Sequence, residues 1–352
     1  MEYLEKYENY IVKICDVGEI EKVMEFFGCE WKRDHILATN KDYINSYFYD
    51  VKNNTYNFII AKDLKDNSVL GMLGYVPNSK FDEKISQDDL FIWLTNWIVK
   101  KHTYNGIGLK LYSALTKHYN SKNIGTVGNN DMAGQIYKGM KYTTGKLKHY
   151  FVANERTIDF KIMLNYETSC KSAAKQVSSK TLTELTCIDN ISIQPDYAPC
   201  KSIEFLKNKY ANNGYYKYYF YGIKDATTIL GLVIFRIQKY NGSSALRMVE
   251  YFGDRSALAN MHAQFQQLMD KYNAEYLDFY CLGIDEEILH SSGFELNLGE
   301  NNLVVPNYFE PLCENNITIN FAYNLKKDFC VFKGDGDREH IVQDCKMGEN
   351  NV

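Results

Sequence analysis

The chain has 352 residues, of which 45% are hydrophobic and 24% charged, and its formal net charge is −4. This composition is typical of a globular protein, and the length favours two domains over one. The negative net charge and the lack of a long Lys/Arg block argue against electrostatic binding to nucleic acid or anionic lipid. We therefore expect neither nucleic acid nor a membrane as a partner.

The first residues and the cysteines both bear on the cellular compartment. The opening stretch MEYLEKYENYIVKICD lacks a basic segment followed by an apolar core, and no run of about 18 apolar residues occurs. The nine cysteines form no C-x-x-C pair, and their odd number fits a secreted disulfide framework poorly. These features predict a cytoplasmic protein with reduced thiols and no metal site.

The two halves of the chain share a pattern. Residues 169–182, rich in Ser and Lys with little apolar periodicity, are typical of a linker between residues 1–168 and 183–345. The stretch NFIIAKDLKDNSVLGMLGYV resembles YYFYGIKDATTILGLVIFRI in the second half, and GQIYKGMKY resembles EEILHSSGF. One constant offset of 152 residues relates Tyr142 to Phe294 and Leu94 to Leu246, which favours a duplicated domain.

In chain order, each half is predicted to form a helix, a β-hairpin, a strand, a loop, a helix, a strand, a helix and a strand. This order predicts an α/β fold with a twisted mixed sheet flanked by helices, present twice in tandem. In the first half the loop lies at residues 103–108. Ile107, Leu111 and Leu115 recur every four residues after it, so a helix beginning near Gly106 is expected to bury that stripe on the sheet.

Gly106 and Gly108 lie at the first turn of this predicted helix, where each glycine costs about 1 kcal/mol relative to alanine. The first turn of a helix presents unpaired backbone N–H groups and the positive end of the macrodipole, and missing Cβ atoms let a phosphate approach them. A tight turn without a ligand also explains such glycines. The loop is therefore a candidate phosphate site with a structural alternative.

At this point the sequence resembles a known family. Residues 103–108 resemble the Arg/Gln-x-x-Gly-x-Gly/Ala loop of the GNAT acyltransferase superfamily, and residues 130–142 resemble its Asn-x-x-Ala-x-x-Leu-Tyr-x-x-x-Gly-Phe motif. Thr103 and Lys141 depart from the family pattern. The resemblance implies acyl-CoA as a co-substrate, and the residues that it assigns to acyl-CoA are Ile98, Val99, Thr103, Tyr104, Asn105, Gly106, Ile107, Gly108, Asn130 and Tyr137.

The second half lacks the glycine loop. Residues 255–260 carry larger side chains at the corresponding positions, and Leu289 replaces Tyr137. We therefore expect acyl-CoA to bind the first half only. The second half is expected to bind the acceptor and to complete the cleft.

The run KGDGDR at residues 333–338 packs charges of both signs around two glycines, and a solvated turn would explain it. It also resembles a Lys-x-Asp-Gly-Asp motif of tandem GNAT proteins that acylate nucleotide-linked amino sugars, as does LKHYF at 147–151. That resemblance implies a dTDP-linked amino deoxysugar as acceptor, in surface polysaccharide biosynthesis. Lys333 and Arg338 suit the diphosphate, and Asp335 and Asp337 suit sugar hydroxyls or the amine.

The reaction implied is attack of a neutral amine on a thioester. Tyr137 is the candidate proton donor to the departing thiolate, and a tyrosine that merely covers the sheet is the alternative. The base is open: the candidates are His149, Asp335, Asp337, Glu250 or a chain of waters. If the KGDGDR turn is only a loop, the acceptor is expected along Trp93, Asn96 and Trp97, although both tryptophans also suit a core.

Two other functions fit the same pattern. Fem-type peptidyltransferases pair two GNAT domains but use aminoacyl-tRNA, and a tandem GNAT protein can also bind ligands without catalysis. The net acidity and the glycine loop favour the acyl-CoA enzyme. We expect a monomer or a weak homodimer.

Overall fold

The computed structural model describes residues 3–121, 123–167, 178–309 and 312–336. These residues form two compact units. Unit 1 comprises residues 3–144 together with Phe321–Leu325, and unit 2 comprises Gly145–Asn320 together with 326–336.

The helices and strands are as follows. The first part of the chain forms β1 (Glu5–Lys6), β2 (Tyr10–Asp16), α1 (Ile20–Glu30), α2 (Ile36–Thr39), α3 (Lys41–Phe48), β3 (Tyr49–Asp50), β4 (Thr55–Asp63), β5 (Val69–Pro77), β6 (Ile92–Val99), α4 (Ile107–Tyr119), β7 (Ile124–Val127), α5 (Asp131–Gly139), β8 (Thr143–Lys146) and β9 (Lys148–Ala153). The remainder forms β10 (Thr181–Leu185), α6 (Ile203–Leu206), β11 (Tyr219–Asp225), β12 (Thr228–Tyr240), β13 (Ser243–Gly253), α7 (His262–Tyr272), β14 (Ala274–Leu282), α8 (Glu286–Ser291), β15 (Glu295–Leu296), β16 (Asn320–Tyr323) and β17 (Val331–Phe332).

The first sheet has the strand order β1-β2-β4-β5-β6-β7-β16-β8, with β3 beside β4. Strands β6 and β7 are parallel, whereas β2, β4, β5 and β6 are successively antiparallel. Helix α4 covers one face, because its residues Ile107, Leu111 and Leu115 are buried in one cluster with Leu73 and Leu94 of the sheet. The stripe read from the sequence is therefore the core-facing side of α4.

The second sheet repeats this arrangement. Its order is β10-β11-β12-β13-β14-β9-β15, with β17 beside β14, and β13 and β14 are parallel. Phe265, Leu268 and Met269 of α7 are buried against this sheet, as the residues of α4 are in unit 1. Two mixed sheets flanked by helices confirm the predicted fold class.

The boundary between the units differs from the predicted domain boundary after residue 168. The units divide at Thr144/Gly145, because β9 pairs along Tyr276–Cys281 of β14 in unit 2, while β16 pairs with β7 in unit 1. The predicted linker 169–182 lies largely outside the described residues, and its last two residues already belong to β10. Alternation of apolar residues predicts a strand but does not say which sheet the strand joins.

Within the described ranges, no helix is both long and apolar enough to cross a lipid bilayer.

Candidate functional site

The central feature of unit 1 is the point where β6 and β7 separate. The two strands pair in parallel at three positions, the last of which joins Leu94 to Thr126. Strand β6 continues to Val99 with β5 on its other side. Beyond Leu94, no strand among the described residues pairs with this edge of β6. An extended ligand can hydrogen-bond to such an edge.

A β-bulge lies where the strands separate. Leu73 pairs with Trp97 and Tyr75 with Leu94, so two residues of β6, Thr95 and Asn96, face the single Gly74 of β5. A Cβ atom on Gly74 would collide with Thr95 Oγ1.

Thr95 Oγ1 and Asn96 Oδ1 are both buried, and neither has a hydrogen-bond partner among the described residues. Buried polar atoms are normally paired, so two unpaired ones together indicate a place for a ligand or water. Asn96 was predicted to bind substrate, and its unpaired oxygen lies at this bulge; Thr95 was not predicted.

The N-terminus of α4 lies beside the same strand. Gly106 has a φ of +80°, a conformation that favours glycine, and a Cβ atom on Gly108 would lie 3.1 Å from Trp97 Nε1. Backbone geometry therefore explains both glycines without a ligand.

The donors of this first turn are nevertheless available. The first hydrogen bond of the helix runs from the Lys110 N–H to the Gly106 carbonyl oxygen, at 3.1 Å. No side chain caps the helix. The preceding N–H groups of the first turn have no acceptor within the helix. Unpaired N–H groups and the macrodipole are the features by which the start of a helix can attract an anion, so the predicted phosphate site remains a prediction here.

Tyr137 lies on α5, close to Trp97. Its ring centroid is 5.9 Å from that of Trp97 and 5.3 Å from that of Tyr142, and the residue is only 2% exposed. Burial, with a smaller contribution from Tyr112, raises the pKa of Tyr137 above its ordinary value. Its hydroxyl makes no hydrogen bond to another described residue. The hydroxyl therefore stays protonated at neutral pH.

The other residues assigned to acyl-CoA lie around these. Ile98 is buried in β6, and Tyr104 is exposed and stacks on Tyr10 with centroids 5.5 Å apart. Asn130 caps α5, since its side-chain oxygen accepts a 2.9 Å hydrogen bond from the Ala133 N–H. The helix cap accounts for Asn130 without a ligand. The half-buried Val99 and Thr103 and the exposed Asn105 complete the group.

His149, a candidate base, lies in unit 2 in a buried network. Its Nε2 is 3.0 Å from Asp278 Oδ2, Asn297 Nδ2 lies 3.2 Å from its Nδ1, and its ring stacks on Tyr280 at 3.8 Å. Burial lowers the pKa of His149, although Asp278 opposes the shift. Arg247 binds the same carboxylate at 3.0 Å. Both ring nitrogens are thus engaged by protein groups.

Glu250, Lys333 and Asp335 form a second buried cluster in unit 2. None of the three is more than 1% exposed. Lys201 Nζ lies 2.8 Å from Glu250 and 2.7 Å from Asp335, and Lys333 Nζ donates to Asn307 Oδ1 at 2.9 Å. The charged groups of the predicted acceptor turn therefore contact protein. The other two predicted members, Asp337 and Arg338, lie outside the described residues.

Burial raises the pKa of Glu250 to about 7, and the charge of Lys201 acts in the opposite direction. A carboxyl group with this pKa changes its charge near neutral pH. It is also held by Tyr210, whose hydroxyl donates to Glu250 Oε2 at 3.0 Å.

The segment that carries Lys333 fills a gap in the second sheet. Strands β13 and β14 pair in parallel as far as Met248 and Phe279. Beyond this point β14 pairs with β17 through Cys281 and Leu282, and β9 holds its other edge. β17 therefore fills the gap between β13 and β14 by pairing with β14, whereas no described strand fills the corresponding gap between β6 and β7 in unit 1.

The chain continues from β17 into a 3₁₀ turn, Lys333–Asp335, which packs on β13. A Cβ atom on Gly334 would lie 2.7 Å from the Val249 carbonyl oxygen and would collide with the Tyr210 hydroxyl. Glycine is thus required by this close packing. The sequence did not reveal the insertion, although a Gly immediately after a β-like run was a signal for it.

The counterpart of the glycine loop in unit 2 is also filled. Arg255–Leu258 form a 3₁₀ turn in which Ala257 and Leu258 are buried. Arg255 donates to the Gly283 carbonyl at 3.1 Å and pairs with Asp328 at 2.6 Å. The predicted site residues therefore fall into two groups. Those in unit 1 lie beside a strand edge without a described partner, and the described ones in unit 2 are buried and contact other protein groups. Among the described residues no cluster of three or more His, Cys, Asp or Glu side chains is arranged to hold a metal ion.

Comparisons with known proteins bear on the fold. No protein-family model matches the sequence, and no curated protein matches it significantly. The chain is similar in structure to a GCN5-related N-acetyltransferase from Anabaena variabilis. The match covers 89% of this chain and 72% of the acetyltransferase chain, with 11% sequence identity and a TM-score of 0.51. A second match is Saccharomyces cerevisiae N-myristoyltransferase with bound myristoyl-CoA and inhibitors. It covers 93% of this chain and 83% of the myristoyltransferase chain, with 9% sequence identity and a TM-score of 0.45. The chain thus has the fold of GCN5-related N-acetyltransferases.

Proposed function

We propose that the chain is an acyl-CoA-dependent N-acyltransferase whose acyl-CoA site lies in unit 1. The observation that carries this proposal is the contrast between two equivalent places. No described strand pairs with β6 beyond Leu94, whereas the corresponding gap in unit 2, between β13 and β14, holds Val331–Phe332, which pair with β14. The fold supports the same reaction class. The similarity to an N-acetyltransferase at 11% identity supports the fold alone. The assignment of the reaction therefore depends on the site residues.

The residues of unit 1 fit the parts of acyl-CoA. The first-turn N–H groups of α4, which lack a side-chain cap, suit the pyrophosphate. The open edge at Ile98 and Val99 suits the amides of the pantetheine arm, which can pair with backbone as a strand would. Thr95 and Asn96 add two unpaired polar atoms at the bulge. Acyl-CoA would supply the activated acyl group as a thioester.

Tyr137 is the residue that this proposal places in the chemistry. Burial keeps its hydroxyl protonated, and the hydroxyl is free to donate to a ligand. A phenol can donate its proton to a departing thiolate, and the raised pKa makes this one a weaker acid than a tyrosine in water. The base that takes the proton of the amine is not assigned, since His149 and Asp335 are both enclosed by protein contacts.

The acceptor is proposed to be a nucleotide-linked amino sugar, in particular a dTDP-linked one, in the cytoplasm. This proposal rests on the resemblance at residues 147–151 and 333–337. Lys333 is buried, and Arg338 lies outside the described residues.

A matched pair of charge variants tests the location of acyl-CoA. Leu109 is 54% exposed in the first turn of α4, and Ala263 is exposed in the first turn of α7 in unit 2. Leu109→Glu places a carboxylate where the pyrophosphate is proposed, and we expect about tenfold weaker CoA binding by calorimetry. Ala263→Glu makes the same charge change and should leave CoA affinity unaltered.

Equal weakening by both variants, or by Ala263→Glu alone, would place the cofactor elsewhere. If the wild-type chain bound aminoacyl-tRNA but no CoA, a Fem-type peptidyltransferase function would replace this proposal. Mass spectrometry of the chain incubated with acyl-CoA and nucleotide-linked amino sugars then identifies the acyl group and the acceptor.

A further inference from the structure

The bulge of β6 carries two polar side chains whose buried oxygens lack partners. Thr95 Oγ1 and Asn96 Oδ1 are both buried, and neither has a hydrogen-bond partner among the described residues. A buried polar atom without a partner costs free energy, because it has lost its hydrogen bonds to water. Two such atoms on consecutive residues indicate that a bound group completes their hydrogen bonds.

Thr95 lies on the face of the sheet opposite α4. A Cβ atom on Gly71 of β5 would contact two side chains of α4, whereas a Cβ atom on Gly74 would meet Thr95 Oγ1 and the ring of Phe58. Strand β5 pairs with β4 in regular register from Gly71 to Gly74. Because side chains alternate along a strand, two residues that are three positions apart point to opposite faces.

Asn96 points to the same face as Thr95. The next residue, Trp97, lies on the α4 side, since a Cβ atom on Gly108 of α4 would be 3.1 Å from Trp97 Nε1. Alternation therefore directs Asn96 away from α4. The bulge thus places two consecutive polar side chains on one face of the sheet.

Both side chains lie at the end of the proposed acyl-CoA site. The first turn of α4, proposed for the pyrophosphate, lies beside Val99, since a Cβ atom on Gly108 would be 3.5 Å from its side chain. From there the arm is proposed to follow the edge of β6, and β7 takes up that edge from Leu94 to Ile92. The arm therefore ends opposite residues 95–96, where the thioester meets the amine.

Hydrogen-bond chemistry at this point favours the amine as the partner. Asn96 Oδ1 can only accept a hydrogen bond, and a thioester likewise offers only acceptors. A neutral primary amine has two N–H groups, which match two acceptors, and one lone pair, which remains for the thioester carbon. Thr95 Oγ1 can serve as the second acceptor.

Both acceptors are uncharged, and β6 contains no Asp or Glu between Ile92 and Val99. A carboxylate here would stabilise the ammonium form and raise the pKa of the amine, and an ammonium group has no lone pair for attack. Uncharged acceptors avoid this effect. They suit an amine whose pKa is lowered by neighbouring C–O bonds, as in an amino sugar, better than a lysine side chain with a pKa of about 10.4.

We propose that Thr95 and Asn96 hold the attacking amine in its neutral form by accepting hydrogen bonds from its two N–H groups. This inference rests on the proposed function and names two residues that contact the amine. The N–C bond forms as the C–S bond of the thioester breaks, and the sulfur takes a proton from Tyr137. The nitrogen loses one proton to solvent, from which Tyr137 is protonated again.

The first test is the pH dependence of kcat, with acetyl-CoA and dTDP-linked 4-amino-4,6-dideoxyglucose as probes. Asn96→Asp places a carboxylate beside the amine, so the acid limb of the profile should move up by about one pH unit. At pH 7 kcat should then fall about tenfold. Asn120→Asp makes the same change at an exposed position at the far end of α4 and should leave the profile unchanged.

The second test is Thr95→Val, which keeps the shape of the side chain and removes the hydroxyl. We expect kcat to fall about tenfold while calorimetry shows unchanged CoA affinity. The midpoint of thermal unfolding should not fall, because the deleted hydroxyl has no described protein partner. A purely structural hydroxyl would give the opposite result, with a lower midpoint and an unchanged kcat.

An unchanged pH profile in Asn96→Asp, or an unchanged kcat in Thr95→Val, would show that water alone occupies the bulge. Either result would overturn this inference and leave the proposed function intact. If Asn96→Asp does not fold, Thr95→Val decides the question. Wild-type chain that binds no CoA, or that binds CoA but does not acetylate the amino sugar, would overturn the inference together with the proposed function.

Discussion

The filled gap in unit 2 makes a quantitative prediction for Gly334. In Gly334→Ala the new methyl group would lie 2.7 Å from the Val249 carbonyl oxygen, which belongs to the backbone of β13. It would also collide with the Tyr210 hydroxyl, which is held by Glu250 at 3.0 Å. Neither obstacle can move without breaking a contact. Overpacking of this kind costs about 1–3 kcal/mol.

Urea denaturation measures this cost, and thermal unfolding should show a fall of about 2–4 °C for each kcal/mol in a unit of this size. Gly139→Ala is the matched control, since Gly139 ends α5 and a Cβ atom there meets nothing within 4 Å. That control should be neutral or slightly stabilising, because alanine is the better helix former. An unchanged stability of Gly334→Ala would refute the tight insertion of the Lys333–Asp335 turn.

Two further predictions concern the chemistry and the buried charges. Tyr137→Phe should lower kcat about 10- to 1,000-fold with CoA affinity unchanged, as steady-state kinetics and calorimetry will measure; an unaltered kcat would assign the proton donor elsewhere. Glu250 has a pKa of about 7 against an ordinary 4.5, so the folded chain binds its proton more tightly than the unfolded chain does. This group therefore destabilises the fold as pH rises from about 5 to 8, and wild type should lose stability relative to Glu250→Gln over that range. Parallel stability curves for the two proteins would contradict this role.

The local pattern predicted much of unit 1. The stripe of Ile107, Leu111 and Leu115 faces the core, and the two glycines of the 103–108 loop lie at the start of α4. Trp93 is buried in the core, as its alternation on β6 suggested, and Trp97 lies against Gly108 and Tyr137. These features depend on residues close together in the sequence, where periodicity and turn chemistry act.

The features that the sequence did not predict depend on distant residues. The charges of Lys333 and Asp335 suggest a solvated turn, yet both are buried because Lys201 and Asn307 supply their partners. Nothing within ten residues of the turn signals this pairing. The sequence does predict a strand at β9, but only tertiary packing decides that it joins β14 of unit 2.

The two units show how a duplicated fold can keep or lose a ligand site. A bulge and the separation of two parallel strands leave backbone N–H and C=O groups without partners, and such groups are costly when buried. In unit 1 the edge of β6 beyond Leu94 is left for a ligand to complete. In unit 2 Val331–Phe332 fill the gap by pairing with β14, and glycine at 334 lets the following turn approach β13. Lys201 contacts both Glu250 and Asp335 beside the filled gap, and loss of this lysine would leave both buried carboxylates without that cation.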